Sequence, residues 1–245
     1  MKRSILFAVL AAVVLVAGVV LYSQFGNQNP ISSSVTSDSS DDASSNSTPA
    51  ASSVPAQEAD ASTTSTQDLM APGPLPDQAV GDANAPITII EYASLTCPHC
   101  AHFHETTYPE LKKRYIDTGK VRFIFREFPL DNYATAGFML ARCGGDGKYF
   151  PILEAFFNKQ EELMKAANPF DWIQGFGKQV GFTQESLDSC LSNQQLLDSV
   201  MAVRQRAAEK LGVSSTPTFF INGKVKRGAM TIEELDKELE PLLRS

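Results

Sequence analysis

Cys97 and Cys100 enclose Pro98 and His99 in a C-x-x-C tetrapeptide, and the chain's three histidines all fall at positions 99, 102 and 104. Thiols and imidazoles gathered this tightly can serve dithiol–disulfide exchange, metal ligation or haem attachment. Haem attachment asks for a histidine directly after the second cysteine, and Ala101 stands there. Structural zinc takes four ligands, usually as two separated pairs. Here the donors share one short segment, and residues two apart on a helix point to different sides. A copper(I) site built on the two thiolates is less excluded, because soft sulfur ligands suit that ion. His102 and His104 read as ordinary surface or boundary histidines.

Dithiol exchange makes a positional demand. At the start of a helix, the first cysteine meets unpaired backbone N–H groups and the positive end of the helix dipole. Both favour a thiolate at Cys97. Pro98 suits a first helical turn because it has no N–H to leave unpaired. His99 can add a positive charge or an N–H bond to the sulfur. Cys100, one turn further on, is placed to attack a mixed disulfide at Cys97. Thiolates in such settings reach pKa values of ~3.5–7.5. Each unit of depression stabilises the reduced form by up to ~1.4 kcal/mol, or ~30 mV for a two-electron couple. That direction is oxidising.

The elements that would hold this site are legible around it. Ile87 to Tyr92 is a short, β-branched apolar run after Pro86, which predicts a strand. Apolar or small residues at 100, 103, 107, 111 and 115 recur at helical spacing. In "KVRFIFREFPL", Val121, Phe123 and Phe125 alternate as a second strand ending near Pro129. Strand, helix and strand in this order suggest a parallel βαβ unit. From Asn132 to about Gly212 the pattern is helical, broken at Gly144-Gly145, Asn168-Pro169 and Gly181. "TPTFFINGKVKRG" reads as two strands joined by Asn222-Gly223, a two-residue hairpin signal. A last helix starts at Thr231, with Glu234 completing a capping box.

Lys2 and Arg3 precede an uninterrupted apolar run, Ile5 to Tyr22. The order is that of an export signal. The run is nearly long enough to span a bilayer, and no small-x-small cleavage pattern follows. The expectation for 1–23 is an uncleaved anchor with the rest exported, a cleaved signal being the alternative. Residues 24–80 are rich in Ser, Thr, Ala, Pro and Asp and carry most of the acidic excess behind the net charge of −7. Such a stretch buries too little apolar area to offset its ordering entropy, so a disordered linker is expected. Its span would be ~40 Å for roughly 50 residues. No block of Lys and Arg is interleaved with aromatics, which argues against a nucleic-acid partner.

"EYASLTCPHC", followed far along the chain by "SSTPTFF", resembles the DsbA-like branch of the thioredoxin superfamily. The likeness implies an α/β thioredoxin fold, β-α-β…β-β-α, formed by 81–131 and 212–245 with 132–211 as a helical insertion. It implies a monomeric periplasmic protein thiol:disulfide oxidase for oxidative protein folding, with no cofactor beyond the redox-active Cys97–Cys100 disulfide. The protein would be tethered to the inner membrane, or soluble in the periplasm if the signal is cleaved. Its partners would be reduced, unfolded exported proteins and a DsbB-like quinone-linked membrane oxidase. Cys97 would form the mixed disulfide and Cys100 would resolve it. Pro217 would be the cis-proline facing them, and Thr216 would offer its backbone to an extended substrate. Glu91 would be a buried acid beneath the site that shuttles the proton of Cys100. Thr rather than Val before this proline is shared with reductase and isomerase relatives, so that direction stays open. In an exported protein Cys143 and Cys190 form an even remaining pair, which suggests a structural disulfide. Two buried free thiols, or a regulatory bridge, are the alternatives.

Overall fold

The structure is a computed structural model that describes residues 65–145 and 147–244. The expected anchor, 1–23, and the expected linker up to residue 64 lie outside the described residues. The elements in order are α1 (Thr66–Met70), β1 (Gln78–Val80), β2 (Ile87–Ala93), α2 (98–116), β3 (Val121–Glu127), α3 (Asn132–Cys143), α4 (Tyr149–Asn158), α5 (Gln160–Lys165), α6 (Pro169–Gln179), α7 (Gln184–Leu191), α8 (Gln194–Leu211), β4 (Thr218–Ile221), β5 (Lys224–Arg227) and α9 (Ile232–Leu243).

The five strands are ordered β1-β3-β2-β4-β5. β2 and β3 are parallel, joined through α2, and the other three pairings are antiparallel. The central strands are buried on both faces, which is why they read as nearly continuous apolar runs. Side chains alternate across a strand. Ile87, Ile89 and Ala93 of β2 therefore enter one core with Phe103, Leu111, Phe138 and Phe156, and Ile90 and Tyr92 enter the other. Glu91 shares the parity of Ile89, so it points into the larger core, beneath α2.

α2 is not uniform. π-type turns at Phe103–Thr107 and Lys112–Ile116 alternate with α-helical turns at Pro98–His102 and Tyr108–Leu111. The face at 100, 103, 107, 111 and 115 is nevertheless buried throughout. In the β4–β5 hairpin, Asn222 and Gly223 have φ of 44° and 90°. Both turn positions need positive φ, which Asn and Gly adopt most easily. Asn222 also bonds across the sheet: its Oδ1 accepts from the Thr88 N–H at 2.8 Å and its own N–H donates to Thr88 O at 3.0 Å.

Two differences from the sequence reading concern boundaries. The expected disorder to residue 80 ends earlier, because 65–80 forms an ordered strap. Leu69 of α1 is buried in the second core, and β1 pairs with β3. Three arginines hold the strap. Arg206 donates to the carbonyls of Asp68, Ala71 and Pro72, Arg142 to that of Pro76, and Arg126 forms a two-bond pair with the Asp77 carboxylate. Polar anchoring of this kind adds to the apolar contacts of Leu69, Met70, Leu75 and Val80. The second difference concerns 132–211. α8 buries Val203, Ala207 and Leu211 against Ile90, Tyr92, Ile124 and Phe220 of the sheet, so the end of the expected insertion serves as a sheet-covering helix.

Candidate active site

At the end of β2 the chain turns through Ser94–Thr96 into Cys97, the N-cap of α2, with an extended backbone (φ −83°, ψ 119°). The N–H groups of Cys100 and Ala101 both donate to the Cys97 carbonyl at 3.1 Å, closing the first helical turn. Pro98 occupies that turn, where a missing N–H costs nothing. Pro98 and His99 are exposed, Cys97 is nearly covered and Cys100 is fully buried. The two cysteines are free thiols.

The opposite wall comes from the loop before β4. The Thr216–Pro217 peptide is cis, and the Thr216 carbonyl oxygen lies 3.3 Å from the Cys97 sulfur, accepting from the thiol. The Thr216 hydroxyl is buried and faces the same sulfur, where it can donate to the thiolate.

These contacts split the two thiols. Cys97 is drawn down to about 5, chiefly because Cys100 donates to its sulfur, with further donation from Thr216 and from the N–H groups of Cys100 and His99. Burial opposes the shift without cancelling it. It is thus the backbone of His99 that meets the sulfur. Cys100 is pushed well above the ordinary thiol range, first by burial, then by its bond to Cys97 and by the charge of Glu91. One sulfur is a ready thiolate at neutral pH and the other holds its proton.

Beneath them, Glu91 and His104 form a buried pair, with Oε2 and Nε2 2.8 Å apart and both side chains almost fully shielded. The imidazole is stacked on Phe157, with ring centroids 4.3 Å apart. His104 is therefore not the surface or boundary residue its neighbourhood suggested, while His102 is exposed. The four-residue step from Cys100 carries His104 to the same side of α2, facing a carboxylate on β2. That step, with an acid on the preceding strand, was the available signal. Gln160 gave none. It lies on α5 inside the helical block, yet its amide donates to the carbonyls of Leu95 and Cys97 at 2.7 and 3.1 Å.

Cys143 and Cys190 form a disulfide joining the end of α3 to α7, with Cα atoms 6.1 Å apart. It lies within the helical block and staples two of its helices. Among the described residues, no group of three or more His, Cys, Asp or Glu could hold a metal ion. Among those residues, too, no helix is long and apolar enough to cross a membrane.

A family model described as thioredoxin matches residues 75–241. A Rickettsia bellii protein, provisionally named a protein-disulfide oxidoreductase, is 34% identical over 148 residues, covering 60% of this chain and 57% of that protein. A Rickettsia conorii homologue with the same provisional name is 34% identical over 169 residues, with 67% of this chain and 61% of its own length covered. The chain thus spans less than two thirds of the length of these curated relatives. The crystal structure of α-DsbA1 from Wolbachia pipientis is 32% identical, with a TM-score of 0.65 over 72% of this chain and 96% of its own. BdbD from Bacillus subtilis, at 19% identity and a TM-score of 0.62, shares the fold. On the sequence match and the structural likeness together, the chain belongs to the thioredoxin family, in its DsbA-like branch.

Proposed function

We propose that this protein is a thiol:disulfide oxidase that transfers the Cys97–Cys100 disulfide to reduced, unfolded exported proteins. The supporting observation is the split between the two thiols, with Cys97 at about 5 and Cys100 held high. A stabilised thiolate favours the reduced enzyme, so the disulfide is readily given away. A substrate thiolate attacks the Cys97 sulfur, the Cys97–Cys100 bond breaks, and its electron pair leaves on Cys100, which takes up a proton. A second substrate thiolate then attacks the mixed disulfide at its substrate sulfur, and Cys97 departs as a thiolate. The substrate loses two electrons and two protons; the enzyme gains the electrons. Thr216 and Pro217 border Cys97 and offer backbone to an extended substrate segment. Glu91 exchanges the proton of Cys100, and Cys143–Cys190 braces the helical block. A DsbB-like quinone-linked membrane oxidase would restore the disulfide, and the apolar N-terminal run would keep the exported domain at the inner membrane.

Titration of the Cys97–Cys100 couple against glutathione tests the direction. A potential near about −120 mV supports an oxidase, and one near about −270 mV assigns the protein to the reductases instead. Cys100→Ser should accumulate substrate disulfides at Cys97, and Cys97→Ser should accumulate none.

A further inference from the structure

Glu91 has two oxygens in unlike surroundings. Oε2 is bound to His104 Nε2, whereas Oε1 is buried with no hydrogen-bond partner among the described residues. An unpaired buried carboxylate oxygen is costly and calls for an explanation, a part in proton exchange being one. The neighbour with a proton to exchange is Cys100, four residues before His104 on the same helix and electrostatically coupled to Glu91. The imidazole has little freedom: it is stacked on Phe157 and edged by Phe103 and Phe125. Its orientation therefore decides which carboxylate oxygen is occupied.

We propose that His104 is the positioning residue for proton exchange at Cys100, its Nε2 fixing one oxygen of Glu91 so that the other stays free for the thiol. The inference rests on the reading of Glu91 as the acid that serves Cys100. When Cys100 leaves as a thiolate, the proton passes to its sulfur from the Glu91 carboxyl, leaving a carboxylate that the His104 N–H stabilises. When Cys100 attacks a mixed disulfide at Cys97, the proton returns to Glu91, the Cys97–Cys100 bond forms and the outgoing thiolate carries away the electron pair. His104 supplies orientation without touching the reacting sulfurs.

The ionisable groups around the pair are few. α2 contributes Cys100 and Tyr108, and α4 contributes Tyr149 and Glu154. Both tyrosines are pushed upward by burial and remain neutral. β3 presents Phe125, together with Glu127, which is paired with Arg142 of α3. Cys100 is thus the group whose titration the pair would govern.

The test uses the full-length chain loaded with glutathione on Cys97, and follows the release of glutathione by Cys100 against pH. His104→Phe keeps the ring and loses the N–H. His104→Asn carries its amide nitrogen at the depth of Nδ1, and His104→Gln at that of Nε2. The Phe and Asn variants should release glutathione about tenfold more slowly at pH 7, a part of the roughly hundredfold or more that positioned proton transfer contributes, with the pH–rate midpoint moved upward. Gln should restore rate and midpoint. Wild-type profiles for Phe and Asn, with Glu91→Gln impaired, overturn the role of His104 alone. A wild-type profile for Glu91→Gln overturns the reading of Glu91 beneath it. Should the Phe variant fail to fold, the contrast between Asn and Gln decides, since both bury an amide at position 104 and differ in how far it reaches toward Glu91.

Discussion

The amide of Gln160 on α5 donates to the carbonyl oxygen of Cys97, and the same nitrogen reaches that of Leu95. The helical block thereby holds the strand-to-helix junction through one side chain. The Cys97 carbonyl has two helical N–H donors besides, so a loss at Gln160 falls mainly on Leu95. Gln160→Leu should cost about 1–3 kcal/mol, the price of an unsatisfied buried carbonyl. Urea unfolding would show it as a lower midpoint at unchanged slope.

The pH dependence of the reduced protein follows from Cys97. Its pKa is depressed on folding, so its contribution to stability is full above the unfolded thiol value of about 8.5 and is lost as pH falls through about 5. Thiolate absorbance at 240 nm should titrate with a midpoint near 5 and should vanish in Cys97→Ser. The melting temperature of the reduced form should exceed that of the oxidised form at pH 7, and the gap should narrow as pH falls from 7 toward 5.

Removing the second disulfide should weaken the fold. Cys143 and Cys190 are separated by 47 residues, and closing such a loop is worth ~4 kcal/mol in the chain-entropy account. The double Cys143→Ala, Cys190→Ala variant should lose about 2–4 kcal/mol in denaturant, with the Cys97 thiolate titration unmoved.

The strap offers a prediction separate from chemistry. Arg206→Met deprives three carbonyls of their guanidinium donor. Hydrogen bonds to a charged group contribute about 1.5–3 kcal/mol, so local opening of 65–80 should become about ten- to a hundredfold more frequent. Limited proteolysis would read this as faster nicking within the strap, with the rate of disulfide exchange at Cys97 unchanged.

What could be read from the sequence was whatever local pattern encodes. The buried face of α2, the turn at Asn222-Gly223 and the Thr231–Glu234 capping box all repeat or adjoin within a few residues, and each is present in the structure. The strap was illegible because its partners are arginines 49 to 138 residues away, and such contacts leave no period in the chain. α8 showed an apolar stripe, but a stripe does not name the surface it will meet. Gln160 and His104 are single polar residues whose meaning depends on what lies across the core. Only His104 had a local hint, its four-residue step from Cys100.

β2 leads into the cysteines, and β4 follows the cis-proline. They are joined along their shared register, pinned by Asn222 at one end and brought together by Cys97 and Thr216 at the other. The slot between sulfur and proline loop is thus a jaw whose two sides are set by the sheet itself. On the proposed reading of the function, such a jaw has to be met by a chain that can bend into it. A partner that had finished folding would then withdraw its own cysteines from reach.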